Sequence, residues 1–509
     1  MHQLLIAPIA LPLLFACLML LVRSPLPHQR RWLALMAMVI ELAVALGLVV
    51  LCMDGSIWTY ALGKWQPPFG IVLVADRLAA YMVLISTLLG AAAMLYASNG
   101  QDARGTNFHA LFQFQLMGIN GAFLTGDLFN LFVFFEILLI ASYALLLHSG
   151  GRKRTIAGMH YVILNVAASS FFLLAAGILY GVLGTLNMAD LAVKMPHLGE
   201  RQAALVESAG LTLLAVFLLK TAILPLHFWL PRAYAAAPGS VAVIFAIMTK
   251  IGIYCLLRVY TLVFGPQAGD ISFVVHEWLW WGGLATVAAG ALGVFASADL
   301  RLQISYLTLV SVGTMVAALG MSGSDSISAV LFYLPHTTFI TAGLYLIAEV
   351  IGRQRGRAAT RIVKSRRLRQ PRLLAAFYFV GALAILGIPP FSGAIAKVMI
   401  LATAHDSAAV WLWAVVLCAT LAGIVSISRA GTTIFWRAGQ DASTRGALLN
   451  WRTGGAALGL MSVAVLIPLF AYPLDHYTEA MAAQLANPSD YTEAVLGTPL
   501  TIHQMEATR

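Results

Sequence analysis

The chain has 509 residues, of which 60% are hydrophobic and only 10% charged, with a mean hydropathy of +0.86. Soluble domains carry about 25% charged residues, so an integral membrane protein is expected; disorder, a disulfide-stapled secreted domain and a DNA-binding protein are excluded despite the formal net charge of +10. Nine of the 31 Lys and Arg lie in one 20-residue loop, Arg353 to Arg372, and most others flank apolar runs, as on a cytoplasmic membrane face.

A membrane-crossing helix needs about 20 apolar residues. Fourteen runs of that kind lie near 3–22, 31–53, 75–97, 108–125, 128–148, 158–183, 210–230, 240–264, 274–297, 302–321, 326–350, 372–403, 408–436 and 454–473. None alternates with period two, so the expected architecture is an all-α membrane bundle of about 14 transmembrane helices. Alternate loops, carrying Arg23, Arg30, Arg31, Arg104, Arg152, Lys153, Arg154, Arg232, Arg301, the nine of 353–372, Arg437, Arg445 and Arg452, hold 21 cations. The opposite loops and tails hold five: Lys64, Arg77, Lys194, Arg201 and Arg509. Both termini and the 54–74 loop are therefore expected outside, in a multi-pass membrane protein.

In chain order, the first run contains Leu14 to Cys17, which faintly resembles a lipoprotein cleavage box. No Lys or Arg precedes it, so the helix is expected to be retained. Cys17, Cys52, Cys255 and Cys418 each sit in a separate apolar run and read as small buried hydrophobes. The fifth run holds Glu136 about 12 Å along its helix, beyond snorkelling reach. Lys220 in the seventh run and Lys250 in the eighth lie roughly 15 Å from their helix starts, near mid-depth. His336 is at mid-depth in the eleventh run, and Lys397 lies nearer the outer end of the twelfth. Each mid-span charge costs about 2.5–3.5 kcal/mol and calls for a partner, water and a reason to exist.

Structural readings stand beside functional ones. Glu136 and Lys220 could be an ion pair locking two helices. Lys250 could make an inter-helix hydrogen bond, Lys397 could snorkel, and His336 could be a hydrogen-bonded core histidine. Arg258 and Arg429, near span ends, are expected to snorkel, and Glu349 to pair with the basic loop; Glu41 is a further ionisable residue within a run and is assigned no role. The functional reading is a proton relay. Burial disfavours a charged lysine and a nearby carboxylate favours it, so such a group binds and releases a proton as partners or hydration change.

Two runs are interrupted by proline, at Lys220-Thr-Ala-Ile-Leu-Pro225-Leu-His227-Phe-Trp229-Leu-Pro231 and at Gly387-Ile-Pro389-Pro390-Phe-Ser392-Gly393-Ala-Ile-Ala-Lys397. Proline removes an amide donor and breaks the helix, freeing carbonyls at mid-membrane. Each broken helix is the fourth of a five-helix unit, spans 4–8 and 9–13, and an odd number of helices makes the units inverted repeats. The expected organisation is 1–107 as an N-terminal three-helix segment, 108–264 and 265–436 as the repeats, and 437–509 as the last span with a tail.

The stretch from Lys220 to Pro238 resembles the K-x4-P-x-H-x-W-L-P-x-A-x4-P sequence shared by the antiporter-like proton-pumping subunits of respiratory complex I and the Mrp-type multisubunit Na+/H+ antiporters. Glu136, Lys250, the Gly-Ile-Pro-Pro-x-Ser-Gly block and Lys397 fall at matching places, so the resemblance covers nearly the whole chain. Phe-Phe-Glu-Ile-Leu-Leu-Ile-Ala-Ser-Tyr from Phe134, Gly-Thr-Leu-Asn-Met-Ala-Asp from Gly184 and Ser-Val-Gly-Thr-Met from Ser311 look most like the D subunit of the Mrp (Pha) antiporters. The resemblance implies that Glu136 and Lys220 form the pair controlling a first half-channel. Lys250 would link the halves, His336 would continue the relay, and Lys397 would be its terminal group. Ser-Gly-Ala-Ile-Ala-Lys departs from the usual Gly-Phe-x-x-Lys near the second break, which puts the Lys397 role in question.

The expected function is that of a subunit of a secondary antiporter, providing the proton path coupled to export of Na+, K+ or Li+. The alternative is a proton-pumping subunit of a complex I-like oxidoreductase or membrane-bound hydrogenase. No nucleotide fingerprint and no loop above about 30 residues leave room for a catalytic domain, so an ion transporter rather than an enzyme is expected, with no cofactor and no metal. Expected partners are a larger antiporter-like subunit, small helical subunits and the lipid bilayer.

Overall fold

The computed structural model describes residues 2–21, 27–105, 107–268, 271–439 and 448–497. Arg23, Arg445 and Arg509, which enter the charge balance above, lie outside them. In chain order the helices are α1 (Ala7–Leu21), α2 (Pro27–Leu51), α3 (Arg77–Ala97), α4 (Phe108–Leu124), α5 (Leu128–Leu147), α6 (Arg152–Leu183) and α7 (Met188–Lys194). They continue with α8 (Glu200–Thr221), α9 (Trp229–Ala236), α10 (Gly239–Leu262), α11 (Ile271–Ala296), α12 (Leu300–Leu319) and α13 (Ser324–Gln354). The last are α14 (Pro371–Leu386), α15 (Ser392–Ala402), α16 (Asp406–Gly431), α17 (Trp451–Leu469), α18 (Ala471–Ala486) and α19 (Pro488–Leu496). Among the described residues, 11 helices are long and apolar enough to cross a membrane, and α1, α14 and α15 are shorter apolar helices. α4, which carries Gln113, Gln115 and Asn120, belongs to neither group.

α10 and α13 form the axis of the bundle; their most apolar stretches are entirely covered by other helices. Around them, the hairpins α4–α5 and α11–α12 are built alike. Gly118 packs on Leu138 and Gly121 on the Phe134 ring; at the same spacing Gly290 packs on Val310 and Gly293 on the Tyr306 ring. A Cβ at any of these glycines would collide with its neighbour, so each marks a close helix approach. Asp127 and Asp299 cap α5 and α12 with nearly identical backbone angles. Each aspartate also makes an antiparallel bridge, to Asn187 and to Arg361 respectively.

Four features depart from the sequence reading. The 54–74 loop contains an antiparallel hairpin of β1 (Trp58–Ala61) and β2 (Val72–Ala75), with Trp58 opposite Ala75. The expected tail after the last span instead forms α18 and α19, which fold back onto the end of the bundle. There Gln484 accepts from the Arg77 amide (3.2 Å) and donates to the Gly55 carbonyl (2.8 Å). Arg258 does not snorkel: it is 3% exposed, pairs with Asp76 at 2.6 Å and faces the Tyr491 ring of α19. Of the cysteines, Cys52 and Cys255 are buried, but Cys17 and Cys418 are exposed on the helix surface.

At the opposite end, Asp102 in the α3–α4 loop accepts from Arg31 at 2.7 Å and faces His109 Nε2 at 3.2 Å. Burial pushes this carboxyl up, but hydrogen bonds from His109 and Arg31 and the Arg31 charge outweigh it and hold it at about 2. A carboxyl lowered on folding contributes stability above its unfolded value of about 3.9, and that contribution disappears as pH falls through about 2. Asp102→Asn should therefore lower the thermal stability of the detergent-solubilised protein at pH 7. The gap to the parent should narrow as pH falls from 4 towards about 2; a gap independent of acid would contradict this.

Candidate functional site

α8 ends just after Lys220, and the chain turns at Ala222 in a left-handed conformation (φ 61°) before Pro225, whose peptide bond is cis. The second break repeats this backbone. α14 ends at Leu386, Gly387 is left-handed (φ 78°), and the Pro389-Pro390 bond is cis. Ile223 N donates to the Leu218 carbonyl at 2.9 Å and Ile388 N to the Leu383 carbonyl at 3.0 Å, the closing bond of the same C-terminal capping motif. A turn follows in both, from Leu226 N to Ile223 O and from Phe391 N to Ile388 O.

A helix C-terminus leaves carbonyls without partners and carries partial negative charge. At the first break Trp229 Nε1 donates to the Leu219 carbonyl at 3.0 Å. At the second, Lys397 Nζ donates to the Leu386 carbonyl at 2.8 Å and to Thr420 Oγ1 at 3.3 Å. Lys397 is thus buried (8% exposed) against the broken end of α14 and does not reach for the interface.

Glu136 and Lys220 are not in contact. Ser169 Oγ donates to Glu136 Oε1, while Lys220 Nζ donates to Asn165 Oδ1 at 3.1 Å and stands over the Phe135 ring. Asn165 and Ser169 are one turn apart on α6, so α6 holds the two charges in adjacent slots, with Glu136 within electrostatic reach of Lys220. Asn165 is fixed by its own donation to the Tyr161 carbonyl at 2.8 Å. Beside Lys220 lies a cavity of about 10 Å³ lined by Tyr161, Asn165, Trp229 and Met248. That is about the room one water needs, and the lining supplies polar partners for it.

Lys250 lies on α10 with no exposure and no hydrogen-bond partner for its Nζ. The inter-helix hydrogen bond considered for it is absent among the described residues. Gly252 of α10 packs directly on the last residue of α8 and lets the two helices approach closely: a Cβ there would lie 2.6 Å from Thr221 Cγ2 and 2.9 Å from Thr221 N. On α13, His336 Nδ1 is 2.7 Å from Ser392 Oγ at the start of α15, and its Nε2 is buried without a partner. Gly393 makes that contact possible, since a Cβ there would lie 2.9 Å from His336 Nε2. Lys397 and Lys250 lie within electrostatic reach of His336.

Lys220 and Lys397 therefore sit at the two breaks, Lys250 and His336 on the axis between them, and Glu136 on α5 beside the first break, held from α6. Asn165, Ser169, Trp229 and Thr420, which hold four of these polar groups or helix ends in place, were not assigned from sequence. The available signal was the Asn165/Ser169 spacing of four in an otherwise apolar run. No group of three or more His, Cys, Asp or Glu side chains among the described residues has an arrangement that could hold a metal ion.

Two proline-broken helices flanking a buried axis of Lys and His define an antiporter-like membrane subunit. Residues 125–423 match the family described as NADH:quinone oxidoreductase/Mrp antiporter, TM, and the chain belongs to that family. It is 38% identical to the D subunit of a probable K(+)/H(+) antiporter of Rhizobium meliloti, over 98% of each chain. It is 34% identical to the D subunit of the Na(+)/H(+) antiporter of Alkalihalophilus pseudofirmus, over 97% of this chain and 100% of that one. The fold superposes on a chain of the Mrp complex from Dietzia sp. DQ12-45-1b with a TM-score of 0.87 and 26% identity, covering 97% of this chain and 99% of that one. It superposes equally on a chain of the membrane-bound sulfane sulfur reductase, an archaeal respiratory membrane complex, with a TM-score of 0.88 and 25% identity, covering 97% and 100%.

Proposed function

We propose that this chain is the D-type subunit of a multisubunit monovalent cation/proton antiporter and carries that complex's proton path. The proton moves between the Glu136/Lys220 slots on α6, Lys250, His336 and Lys397. The observation that carries the reading is Lys250: a fully buried amine whose Nζ has no partner. A fixed ammonium there would be uncompensated, at a cost of several kcal/mol, whereas a site that gains and loses a proton has a reason to be kept so. The names of the 38% and 34% identical relatives support the antiport assignment over catalysis. The likeness to the sulfane sulfur reductase chain supports a second reading, a redox-driven pump module, in which the same residues move protons.

The finer organisation follows on this reading. The chain crosses the membrane fourteen times, with α8–α9 and α14–α15 each counting as one broken crossing. Residues 108–264 and 265–436 are inverted repeats, supported by the matching hairpins and breaks. Residues 1–107 and 437–509 are additions at either end. Both termini lie outside a bacterial cytoplasmic membrane, and 351–371 lies inside. Ser365→Cys, in a protein otherwise free of cysteine, should resist a membrane-impermeant thiol reagent in intact cells and react in everted vesicles. Labelling in intact cells would invert the topology.

On this reading, exchange is completed by a larger antiporter-like partner with small helical subunits beside it. The test is to reconstitute the chain alone and with its partner subunits into proteoliposomes. Exchange only in the second sample is expected; robust exchange by the lone chain would overturn the subunit assignment.

A further inference from the structure

A second site lies at the basic end of the bundle, away from the relay. The ends of α6, α9, α12 and α13 and the α3–α4 loop enclose a cavity of about 870 Å³. Its walls carry Arg104, Arg152, Lys153 and Arg232 on the rim, with Arg301 and Arg353 deeper. The four rim cations are exposed, and none forms an ion pair among the described residues. Arg154, also in the wall, donates to the Ala236 and Gly150 carbonyls and ties α6 to the end of α9.

The two carboxylates lining the cavity are outnumbered by its cations and are in part committed to the protein itself. Asp299 caps α12, accepting from Arg301 N at 3.0 Å, and takes the Thr360 hydroxyl at 2.7 Å. Glu349 Oε1 accepts from Gln101 (2.6 Å) and Arg353, while its Oε2 is buried without a hydrogen-bond partner. Arg301 is 9% exposed; one arm reaches the Ala237 carbonyl, but its Nε has no partner. The cavity therefore presents a surplus of donors and positive charge that the protein itself does not satisfy.

The apolar surroundings say what kind of anion fits. Ile156 lines the cavity and begins a stripe along α6 that continues through Met159, Ile163 and Val166, each of these three at least half exposed. Spacings of three and four put all four on one helix face. Positive charge at the mouth and an exposed apolar track leading from it match the two halves of one amphiphile. Basic pockets between membrane helices are suited to anionic lipid head groups. We propose that this cavity binds the phosphate head group of an anionic phospholipid, whose acyl chain lies along the Ile156–Val166 face of α6.

The test uses the complete complex, stripped of loosely held lipid by detergent and offered to phosphatidylglycerol or phosphatidylcholine nanodiscs, with bound phospholipid read by native mass spectrometry and extraction. The parent should retain phosphatidylglycerol in preference to phosphatidylcholine. Arg104→Gln, Arg152→Gln and Arg232→Gln should each weaken retention roughly fivefold, the effect of one cation near a charged lipid surface. Ile156→Asn with Ile163→Asn should weaken retention with every cation in place. Inorganic phosphate at the same concentration should not compete. Displacement by phosphate, with no effect of the α6 substitutions, would assign the cavity to a free anion and overturn the lipid proposal, as would equal retention of the two lipids. Should the α6 double variant assemble poorly, the exposed rim substitution Arg232→Gln alone carries the comparison.

Discussion

Replacing Lys250 with methionine should abolish cation/proton exchange while the protein still inserts, assembles and holds its thermal stability. The amine has no hydrogen bond to lose and no exposure. An apolar side chain of similar length removes a desolvated charge without opening a large cavity, a change that is often neutral or stabilising. A packing role would show itself as lost protein, a relay role as lost exchange at normal abundance. Exchange by everted vesicles, normalised to the amount of chain present, should fall at least about tenfold, the factor that 1.4 kcal/mol represents. Lys250→Ala should behave in the same way for exchange, with some loss of stability from the cavity it leaves. Parental rates in a well-assembled Lys250→Met complex would remove Lys250 from the path.

Asn165→Leu should reproduce much of the defect of Lys220→Ala, although Asn165 carries no proton of its own. Its Oδ1 is the partner that Lys220 holds at 3.1 Å, and its turn of α6 sets the distance to the Ser169 that holds Glu136. Losing a hydrogen bond to a charged group costs about 1.5–3 kcal/mol, enough to move Lys220 out of register with Glu136 or to change when it is protonated. Glu136→Ala and Lys220→Ala should each abolish exchange. Adding Asn165→Leu to Lys220→Ala should then cause no further loss, because the two residues act through one contact. Fully additive losses in the double variant would show that Asn165 acts elsewhere.

Charges made most of this site legible. Glu136, Lys220, Lys250 and Lys397 interrupt runs that are otherwise apolar, and the prolines mark both breaks, so position along a helix was enough to single them out. Asn165 and Ser169 were missed because neutral polar groups barely disturb an apolar run; that they face Lys220 and Glu136 is a fact of helix packing. The same limit explains Arg258. Its distance from a helix end suggested the interface, but its partner Asp76 is 182 residues away along the chain. The likeness of the halves rests on Gly118 and Gly290, Gly121 and Gly293, and Asp127 and Asp299, with dissimilar residues between them, so it emerges from packing and not from residue matching. α18 and α19 escaped because they are too polar to count as spans: Asp475, Glu479 and Asp490 lie among their apolar residues.

The most direct measurement of the central claim is made in everted vesicles containing the chain with its partner subunits and a pre-formed pH gradient. If the chain carries an antiporter's proton path through Lys250, adding Na+ or K+ discharges the gradient, and vesicles with equal amounts of the Lys250→Met complex leave it intact. A gradient indifferent to both cations, and formed by this complex only during oxidation of NADH or another reductant, would contradict the antiporter reading and make the chain a module of a redox pump.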